Sequence, residues 1–514
     1  MSSLAALPRL LREDPAVTRA LGDPAGFVAV PEAARAITVA ALAQLSDRRP
    51  LVVACPTGTD AGQLFDDLCQ YMPDGEVALF PGWETLPFER VSPSVETMGR
   101  RLEVLWRVRD PERCPAVVVA GVRALLQHLG PGTTELEPIH ITKGAVLDPD
   151  DLLSRLVHAG YRREELVEHR GEVARRGAII DIFPSTADSP IRIDLWGDEV
   201  DRLTEFGVND QRSTHDLAEA YVFAARELVP NDAVRERAAR LVATEPWGRE
   251  QWERLAEGAL FDGMESWLPW LIDDDELITD VLPPTAKVAL VEPRRMRDRA
   301  NDLLAEEDDL ARALASTWER DAATPFPRLH AEPERLLGAK QSTWTISSAP
   351  ETPDSPMVTA TGWGPVVGDG EGLTNRLRDL VSDGYRVIVA ADGEGSAQRM
   401  AELLLERGLD FGLGRTGEAL ARPGGYITVA PLHRGCTVGE AKVAVIAESD
   451  LTGRRRAHRQ ARPRRRQATG LFEDLKPGNY VVHYQHGVGQ YEGMVKRTIG
   501  GVERDYLLLA YKGG

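Results

Sequence analysis

The sequence predicts an α/β protein of several domains. Short apolar runs at 51–55 (LVVAC), 77–80 (VALF) and 116–120 (AVVVA) alternate with helix-like segments, as in a parallel sheet covered by helices. The chain has 514 residues, which is enough for roughly three to five domains. Its hydrophobic content of 43% is ordinary for a folded globular protein, so each domain has material for a core.

Composition narrows the class of protein. The formal net charge of −19 does not suit non-specific binding to DNA or to an anionic membrane. Four cysteines have no C-x-x-C spacing, which argues against a zinc site or a disulfide framework and fits a reducing cytoplasm. No apolar run approaches the roughly 18 residues that span a bilayer. We therefore expect a cytoplasmic protein with no metal centre and no membrane partner.

The run at 51–55 leads into a turn with the layout of a phosphate-binding loop. A working loop reads G-x-x-x-x-G-K-[ST], and its lysine and hydroxyl serve the phosphates and magnesium. Here only three residues separate Gly58 from Gly62, and Gln63 stands where the lysine would be. The turn is therefore either an ordinary strand-to-helix connection or a decayed phosphate loop, and we expect no nucleotide there.

A different pattern interrupts this α/β module. Residues 123–213 carry short β runs, AIIDIF, IRIDLW and RLTEFG, with turn signals between them. Residues 214–345 return to the α/β pattern, with a strand at 287–291 (KVALV). We therefore predict one module formed by 1–122 and 214–345, with an α+β domain inserted at 123–213.

Three more segments complete the predicted order. Residues 355–450 indicate a further α/β domain of unknown role, with strands YRVIVAA, YITVA and KVAVIAE and a helix at 394–407. An Arg-rich linker follows at 451–472, where 451–470 hold eight arginines and no acidic residue; contact with nucleic acid or a partner is the alternative to a plain linker. Residues 473–514 predict a small β barrel, which we expect to be truncated.

Two stretches carry a family resemblance. The segments RRGAIIDIFP (175–184) and IRIDLWGDEVDRLTEF (191–206) resemble the domain shared by UvrB and the bacterial transcription-repair coupling factors (Mfd). The segment LKPGNYVVHYQHGVGQYEGM (475–494) resembles the RNA-polymerase-interacting domain of coupling factors and CarD-type regulators, which UvrB does not carry. The resemblance implies a UvrB-like, degenerate helicase-type α/β module and a Tudor-like C-terminal barrel.

The resemblance also implies that the inserted domain docks the damage-recognition protein UvrA. Arginine suits this task, because its planar guanidinium pairs with carboxylates and tolerates partial desolvation. The predicted UvrA-binding residues are Arg162, Arg175, Arg176 and Gly177. The alternative for Arg176 is a local surface ion pair with Glu172 or Asp181.

Two residues near these arginines are expected to have structural roles. Phe183 is expected in the core, since the strand around Ile180 and Ile182 has two faces to bury. Asp181 is expected either to pair with an arginine or to fix the turn at Pro184, and not to be catalytic.

For the last domain, the resemblance implies strand pairing with the β subunit of RNA polymerase. An exposed edge strand can add to a partner's sheet through main-chain hydrogen bonds. We assign this edge to 493–499, with Lys496, Arg497 and Ile499 flanking the contact. His483 and His486 have an i, i+3 spacing, but no third ligand lies nearby, so we expect a structural turn and no metal.

The same resemblance predicts a chain without catalysis. In KVALVEP (287–293), Val291 occupies the position of the magnesium-linked aspartate of a Walker B strand. ATP, magnesium and double-stranded DNA would belong to a translocase motor that lies beyond this chain in the family. The predicted role is to recruit UvrA to a stalled polymerase for nucleotide excision repair. The alternatives are a UvrB-like ATP-dependent damage-binding helicase and a free transcription regulator.

Overall fold

The computed structural model describes eleven stretches of the chain. They are residues 4–23, 25–88, 90–272, 275–315, 326–338, 343–364, 370–414, 417–452, 480–483, 487–499 and 502–510. These residues belong to two units, one formed by Met1–Asn301 with Pro327–Arg456 and the other by Asp302–Phe326 with Ala457–Gly514. The predicted linker at 451–472 falls outside the described residues except for its first two positions, and His486 also falls outside them.

The helices alternate with strands along most of the chain. In chain order the α-helices are α1 (Pro15–Gly22), α2 (Arg35–Leu45), α3 (Gly58–Tyr71), α4 (Val95–Val108), α5 (Val122–Leu126), α6 (Pro149–His158), α7 (Asp232–Thr244), α8 (Arg249–Ala256), α9 (Leu268–Leu271), α10 (Pro293–Ala315), α11 (Glu334–Leu337), α12 (Gly370–Ser382), α13 (Glu394–Glu406) and α14 (Glu448–Thr452). Short 3-10 helices lie at Pro8–Glu13, Glu32–Ala34, Thr133–Glu135, Pro246–Gly248, Met264–Trp267, Ile278–Asp280 and Gly417–Ala421.

The described strands form four sheets of three or more strands and one two-stranded sheet. In chain order they are β1 (Phe27–Ala29), β2 (Leu51–Cys55), β3 (Val77–Phe80), β4 (Val117–Gly121), β5 (Ile139–Thr142), β6 (Arg162–Arg163), β7 (Glu172–Arg176), β8 (Ile179–Ile182), β9 (Ile191–Trp196), β10 (Glu199–Phe206), β11 (Ser213–Asp216), β12 (Glu219–Val222), β13 (Lys287–Val291), β14 (Trp344–Ser347), β15 (Ala360–Gly362), β16 (Arg386–Ala391), β17 (Gly412–Leu413), β18 (Gly424–Val429), β19 (Cys436–Val438), β20 (Val443–Ala447), β21 (Tyr480–His483), β22 (Gly487–Ile499) and β23 (Val502–Ala510).

The first sheet is parallel throughout and has the order β1-β14-β13-β2-β4-β3. Its central strands are continuous apolar runs because helices cover both faces, and every residue of β2, β4 and β13 is buried. Along β2, Val53 and Cys55 belong to one hydrophobic cluster, whereas Val52 and Ala54 belong to another. The prediction of an α/β module is confirmed in these strands.

The chain leaves this module and returns to it through a pair of adjacent strands. β5 and β12 pair antiparallel, from Ile139 opposite Val222 to Thr142 opposite Glu219. Between them lies a six-stranded sheet of order β11-β10-β9-β8-β7-β6, antiparallel except where β6 joins β7. Helix α6 and one sheet face share a core that includes Leu152, Leu156 and Ile193. An inserted α+β arrangement is therefore present, while the predicted limits at 123 and 213 remain predictions.

Helices and aromatic side chains dominate the segment after the insertion. Four tryptophans, Trp247, Trp252, Trp267 and Trp270, stack on one another with ring centroids 4.9–6.1 Å apart. They hold α7, α8 and α9 together. The sequence pattern had predicted only that the α/β module continues through this segment.

The second α/β sheet has the order β15-β19-β20-β16-β18-β17, and only β19 runs antiparallel to the other five strands. Helices α12 and α13 cover one face through Leu377, Ala397 and Leu404. On the other face, Ile388 and Ala390 of β16 join the same hydrophobic cluster as β2 of the first sheet. The predicted third domain is thus packed against the first module through a shared core.

The second unit contains a three-stranded antiparallel sheet of order β21-β22-β23. The predicted strands are present, but the Tudor-like barrel is not confirmed, because the described residues form an open sheet. Across the described ranges, no helix is both long enough and apolar enough to cross a membrane.

Candidate partner-binding site

The inserted sheet has one core face and one outer face. Ala174, Asp181 and Arg192 lie opposite one another on β7, β8 and β9, and so share a face. Their neighbours Val173 and Ile182 point to the other face and are buried in the core beside α6. We call the first face the outer face; Arg176, Asp194 and Trp196 follow on it at steps of two residues.

A tight hairpin ends this face. Arg176 pairs with Ile179, which leaves only Gly177 and Ala178 in the turn between β7 and β8. Gly177 has φ 64°, in the left-handed region that two-residue hairpin turns require and that glycine adopts without strain. The predicted site residue Gly177 therefore shapes the turn that carries Arg176.

Arg176 is half exposed but anchored at one end. Its Nη2 donates to Oδ2 of Asp181 at 2.7 Å. The arginine side chain is 47% exposed, whereas the Asp181 side chain is only 1% exposed. The expectations that Asp181 pairs with an arginine and that Phe183 is buried are both confirmed.

The same carboxylate also holds Arg192. Arg192 donates from Nε to Oδ1 at 2.7 Å and from Nη2 to Oδ2 at 2.9 Å. These hydrogen bonds raise the pKa of Arg192 above its usual value, with burial acting against them. Two guanidinium groups thus share one buried carboxylate, and Asp194 on the same face also interacts electrostatically with Arg192.

The other two predicted arginines lie apart from each other. Arg162 on β6 is paired with Glu172 at 3.3 Å and belongs to the outer face. Arg175 points to the opposite side of β7, where its Nη1 pairs with Asp150 of α6. The structure therefore brings Arg162 and Arg176 to one face and separates Arg175 from them, which alternation along β7 already indicates.

Sequence reasoning missed the most exposed aromatic residue of the domain. Trp196, at the end of β9, is 82% exposed. The backbone N–H of Leu195 donates to the carbonyl of Ala178, so Trp196 lies beside the arginine-bearing hairpin. Alternation from Arg192 would have placed it on the outer face. A large aromatic side chain left in solvent is typical of a binding hot spot.

The turn after β2 keeps its layout but has the wrong chemistry for phosphates. Thr57 caps α3: its hydroxyl accepts from the backbone N–H of Asp60 at 3.0 Å and donates to the Asp60 carboxylate at 2.9 Å. A carboxylate therefore occupies the first turn of the helix, where a phosphate loop presents its positive end.

The neighbouring strand, β13, also departs from the pattern of a nucleotide-binding site. Val291 ends the strand, and Glu292 follows with φ 53°. Glu292 accepts from Arg35 Nη2 at 2.9 Å and from the backbone N–H of Ser348 at 2.8 Å. Its carboxylate is thus held by protein donors, and these residues do not fit a magnesium nucleotide.

The proposed polymerase edge lies in the longest strand of the second unit. β21 pairs with β22 only at Gly487–Gln490, whereas β23 pairs with it from Gln490 to Ile499. In this register Lys496 lies opposite Asp505, Arg497 opposite Arg504 and Ile499 opposite Val502. Within the described residues, the stretch 493–499 therefore has a neighbouring strand on one side only, and its role in binding stays a prediction.

Comparison with known protein families defines the class of chain. A model described as the UvrB interaction domain matches residues 139–228, one described as MFD, D3 domain matches 382–451, and one described as CarD-like/TRCF RID domain matches 475–514. The first contains the outer face and the last contains β21 to β23. The chain is thus a multi-domain protein that joins a UvrB-type interaction domain to a CarD-like domain.

The curated relatives make the family specific. The chain is 36% identical to the transcription-repair-coupling factor of Mycobacterium tuberculosis over 94% of its own length. It is 27% and 28% identical to those of Bacillus subtilis and Escherichia coli over 93% and 91%. By these matches the chain is similar to the N-terminal part of the transcription-repair-coupling factors. It spans 41–43% of the length of these relatives.

Proposed function

We propose that this chain is the partner-recruiting, non-catalytic part of a transcription-repair coupling factor. The observation that carries the proposal is the presence, in one chain, of a UvrB interaction domain and a CarD-like RNA-polymerase-interacting domain. A chain with both domains can bring a repair protein to a polymerase. In this role it acts in the cytoplasm and links transcription to nucleotide excision repair.

The repair partner is UvrA, and the outer face is its binding surface. Arg162 and Arg176 supply positive charge, Gly177 sets the hairpin, and Trp196 supplies apolar area next to them. An aromatic anchor beside an arginine is the combination that most often dominates binding energy at protein interfaces. Arg175, on the other face, is a candidate of lesser weight.

The transcription partner is RNA polymerase, contacted through its β subunit. The stretch 493–499 of β22 offers main-chain groups along one side, and strand addition uses such groups. ATP, magnesium and double-stranded DNA are assigned to a motor domain of the longer family members. To the chain itself we assign the recruitment of partner proteins and no ATP-driven step.

The test is a co-capture experiment with the 514-residue chain. RNA polymerase immobilised through its β′ subunit should retain UvrA only when the chain is added. The variant Arg176→Ala should retain the chain on polymerase but hold much less UvrA, because the two partners use different domains. Arg249→Ala, which removes an exposed arginine paired with exposed Glu253 on α8, outside the inserted domain, is the matched control and should behave as wild type.

Two results would contradict the proposal. UvrA retention that does not depend on the chain would remove its bridging role. UvrA retention that survives deletion of residues 139–228 would reject the inserted domain as the UvrA site.

A further inference from the structure

The shared carboxylate on the outer face has a function beyond local charge balance. We propose that Asp181 is a positioning residue, which fixes the guanidinium of Arg176 in the orientation that the UvrA partner requires. This inference rests on the proposed function of the outer face. It concerns a buried residue that does not itself reach the partner, since its side chain is 1% exposed.

Arg192 makes the anchor rigid. It grips Asp181 with two hydrogen bonds of 2.7 and 2.9 Å, and its Nη1 donates to the carbonyl of Gln211 at 2.9 Å. Its guanidinium also lies over the ring of Phe206, 4.6 Å from the centroid. With its side chain only 13% exposed, Arg192 is held from several sides. The carboxylate it grips therefore has one fixed position.

Arg176 contacts the same carboxylate less extensively than Arg192 does. It makes one hydrogen bond, from Nη2 to Oδ2, and within the described part of the chain no other hydrogen bond of its guanidinium is present. Of the two guanidinium groups on this carboxylate, that of Arg176 is the exposed one, with its side chain 47% exposed against 13% for Arg192. An arginine held at one end has less rotamer entropy to lose when a partner carboxylate engages its remaining donors.

Neutralisation and positioning make opposite predictions for Asp181→Asn. If Asp181 only neutralises charge, its removal makes the face more positive, and association with an acidic partner becomes faster without faster dissociation. If Asp181 positions Arg176, the bound state loses a preorganised contact. The loss then appears in the dissociation rate, where the effects of most interface changes are found.

The experiment is surface plasmon resonance of the 514-residue chain over immobilised UvrA. For Asp181→Asn we expect dissociation about tenfold faster, with an association rate within about threefold of wild type. Glu253→Gln removes a carboxylate outside the inserted domain, where Glu253 is exposed on α8 and paired with Arg249, and should leave both rates within about twofold. This control has the same change in net charge.

Two further variants separate positioning from loss of folding. In the Arg176→Ala background, Asp181→Asn should have no additional effect on dissociation, because the residue it positions is gone. Arg192→Lys keeps the charge but loses the bidentate grip, and should also speed dissociation. Melting temperatures identify any variant that fails to fold, and the remaining variants then decide the question.

Each result supports or contradicts the positioning role of Asp181. Wild-type dissociation in folded Asp181→Asn, or additive effects of Arg176→Ala and Asp181→Asn, overturns the positioning role and leaves the proposed function standing. Absence of UvrA binding by the wild-type chain overturns the proposed function and this inference with it. Faster association with unchanged dissociation assigns Asp181 to neutralisation alone.

Discussion

At the scale of single residues, the exposed side chain of Trp196 has no packing role in the fold. Its side chain is 82% exposed and adds nothing to the core beneath β9. Tryptophan is enriched among the residues that dominate binding at protein interfaces, and we therefore propose that a partner covers this side chain. Its place beside the hairpin of Arg176 makes it part of the same surface.

We predict that Trp196→Ala weakens UvrA binding by about tenfold or more, because buried aromatic anchors are among the strongest interface contacts. The melting temperature should stay within about 1 °C, since an exposed side chain contributes little to folding. Titration calorimetry with purified UvrA measures the affinity. The control is Leu405→Ala, which removes a 61% exposed apolar side chain on α13. Equal losses in both variants would remove Trp196 from the site.

Sequence reasoning at this scale succeeds where one strand decides the answer. The burial of Phe183 and the pairing of Asp181 with an arginine were expected from their own strand and its neighbours in the sequence. Arg175 was grouped with Arg176 and Gly177 although strand neighbours point to opposite faces, and its role in binding stays a prediction. The shared grip of Arg176 and Arg192 on one carboxylate depends on the register between β8 and β9, which no single strand reveals.

Among the elements, α4 shows how burial sets the response to pH. Glu103 lies on this helix, and burial raises the pKa of its carboxyl, with Arg107 and Arg100 acting against the shift. Above the raised pKa the folded chain holds a partly desolvated carboxylate, so ionisation lowers stability. Below the ordinary value of 4.5 the group is neutral in both the folded and unfolded chain, and this loss disappears.

We therefore predict that Glu103→Gln raises the melting temperature at pH 8 by about 1–3 °C. The gain should shrink as the pH falls through the raised pKa and vanish near pH 4.5. Scanning calorimetry at pH 8, 6.5, 5.5 and 4.5 measures it. Glu112→Gln, at an exposed position just after the helix, should show no such trend. A gain for Glu103→Gln that grows toward acid pH would contradict the sign.

The strand β22 supports a prediction about main-chain binding. Proline removes a backbone N–H, and in an antiparallel strand adjacent N–H groups point to opposite edges. One of Lys496→Pro and Arg497→Pro should therefore remove a donor on the open edge, and the other should disrupt the pairing with β23. The variant that removes the open-edge donor should no longer bind the polymerase β subunit, while circular dichroism should show that its sheet persists. Alanine at either position should weaken binding only modestly. If both folded proline variants bind as wild type, the contact lies elsewhere.

Long apolar runs were the easiest elements to predict. β2, β3, β13 and β16 coincide with the predicted runs almost residue for residue. Short strands such as β1 and β6 were missed, because two or three residues carry no periodicity. The helices α7 to α9 were also missed as a unit, since the tryptophans that hold them together come from separate turns and helices.

Across the whole molecule, the first and second α/β sheets are more closely joined than the sequence indicates. Their facing strands contribute to one hydrophobic cluster, and the loop before β19 is fixed to α3. There the backbone N–H and Nδ1 of His433 lie 2.8 and 2.9 Å from Oδ1 of Asp67. A continuous apolar run shows that a strand has two buried faces but does not show what covers them. The sequence therefore predicted both sheets but not their common core.

The retained architecture and the lost chemistry of the first module lead to the last prediction. The order of β13 beside β2, with α3 following β2, keeps the geometry of a nucleotide site. Gln63 replaces the lysine, Val291 replaces the metal-linked aspartate, and Glu292 is engaged by Arg35. We predict that the chain releases no phosphate from ATP above a chain-free blank, with magnesium and duplex DNA present. Gln63→Lys alone should not create activity, because the carboxylate of Asp60 would still lie in the first turn of α3 and the aspartate would still be missing. Phosphate release measured for the wild-type chain and for Gln63→Lys tests this. Turnover by the wild-type chain that Thr59→Ala abolishes would show a working site, and would favour a UvrB-like ATPase instead.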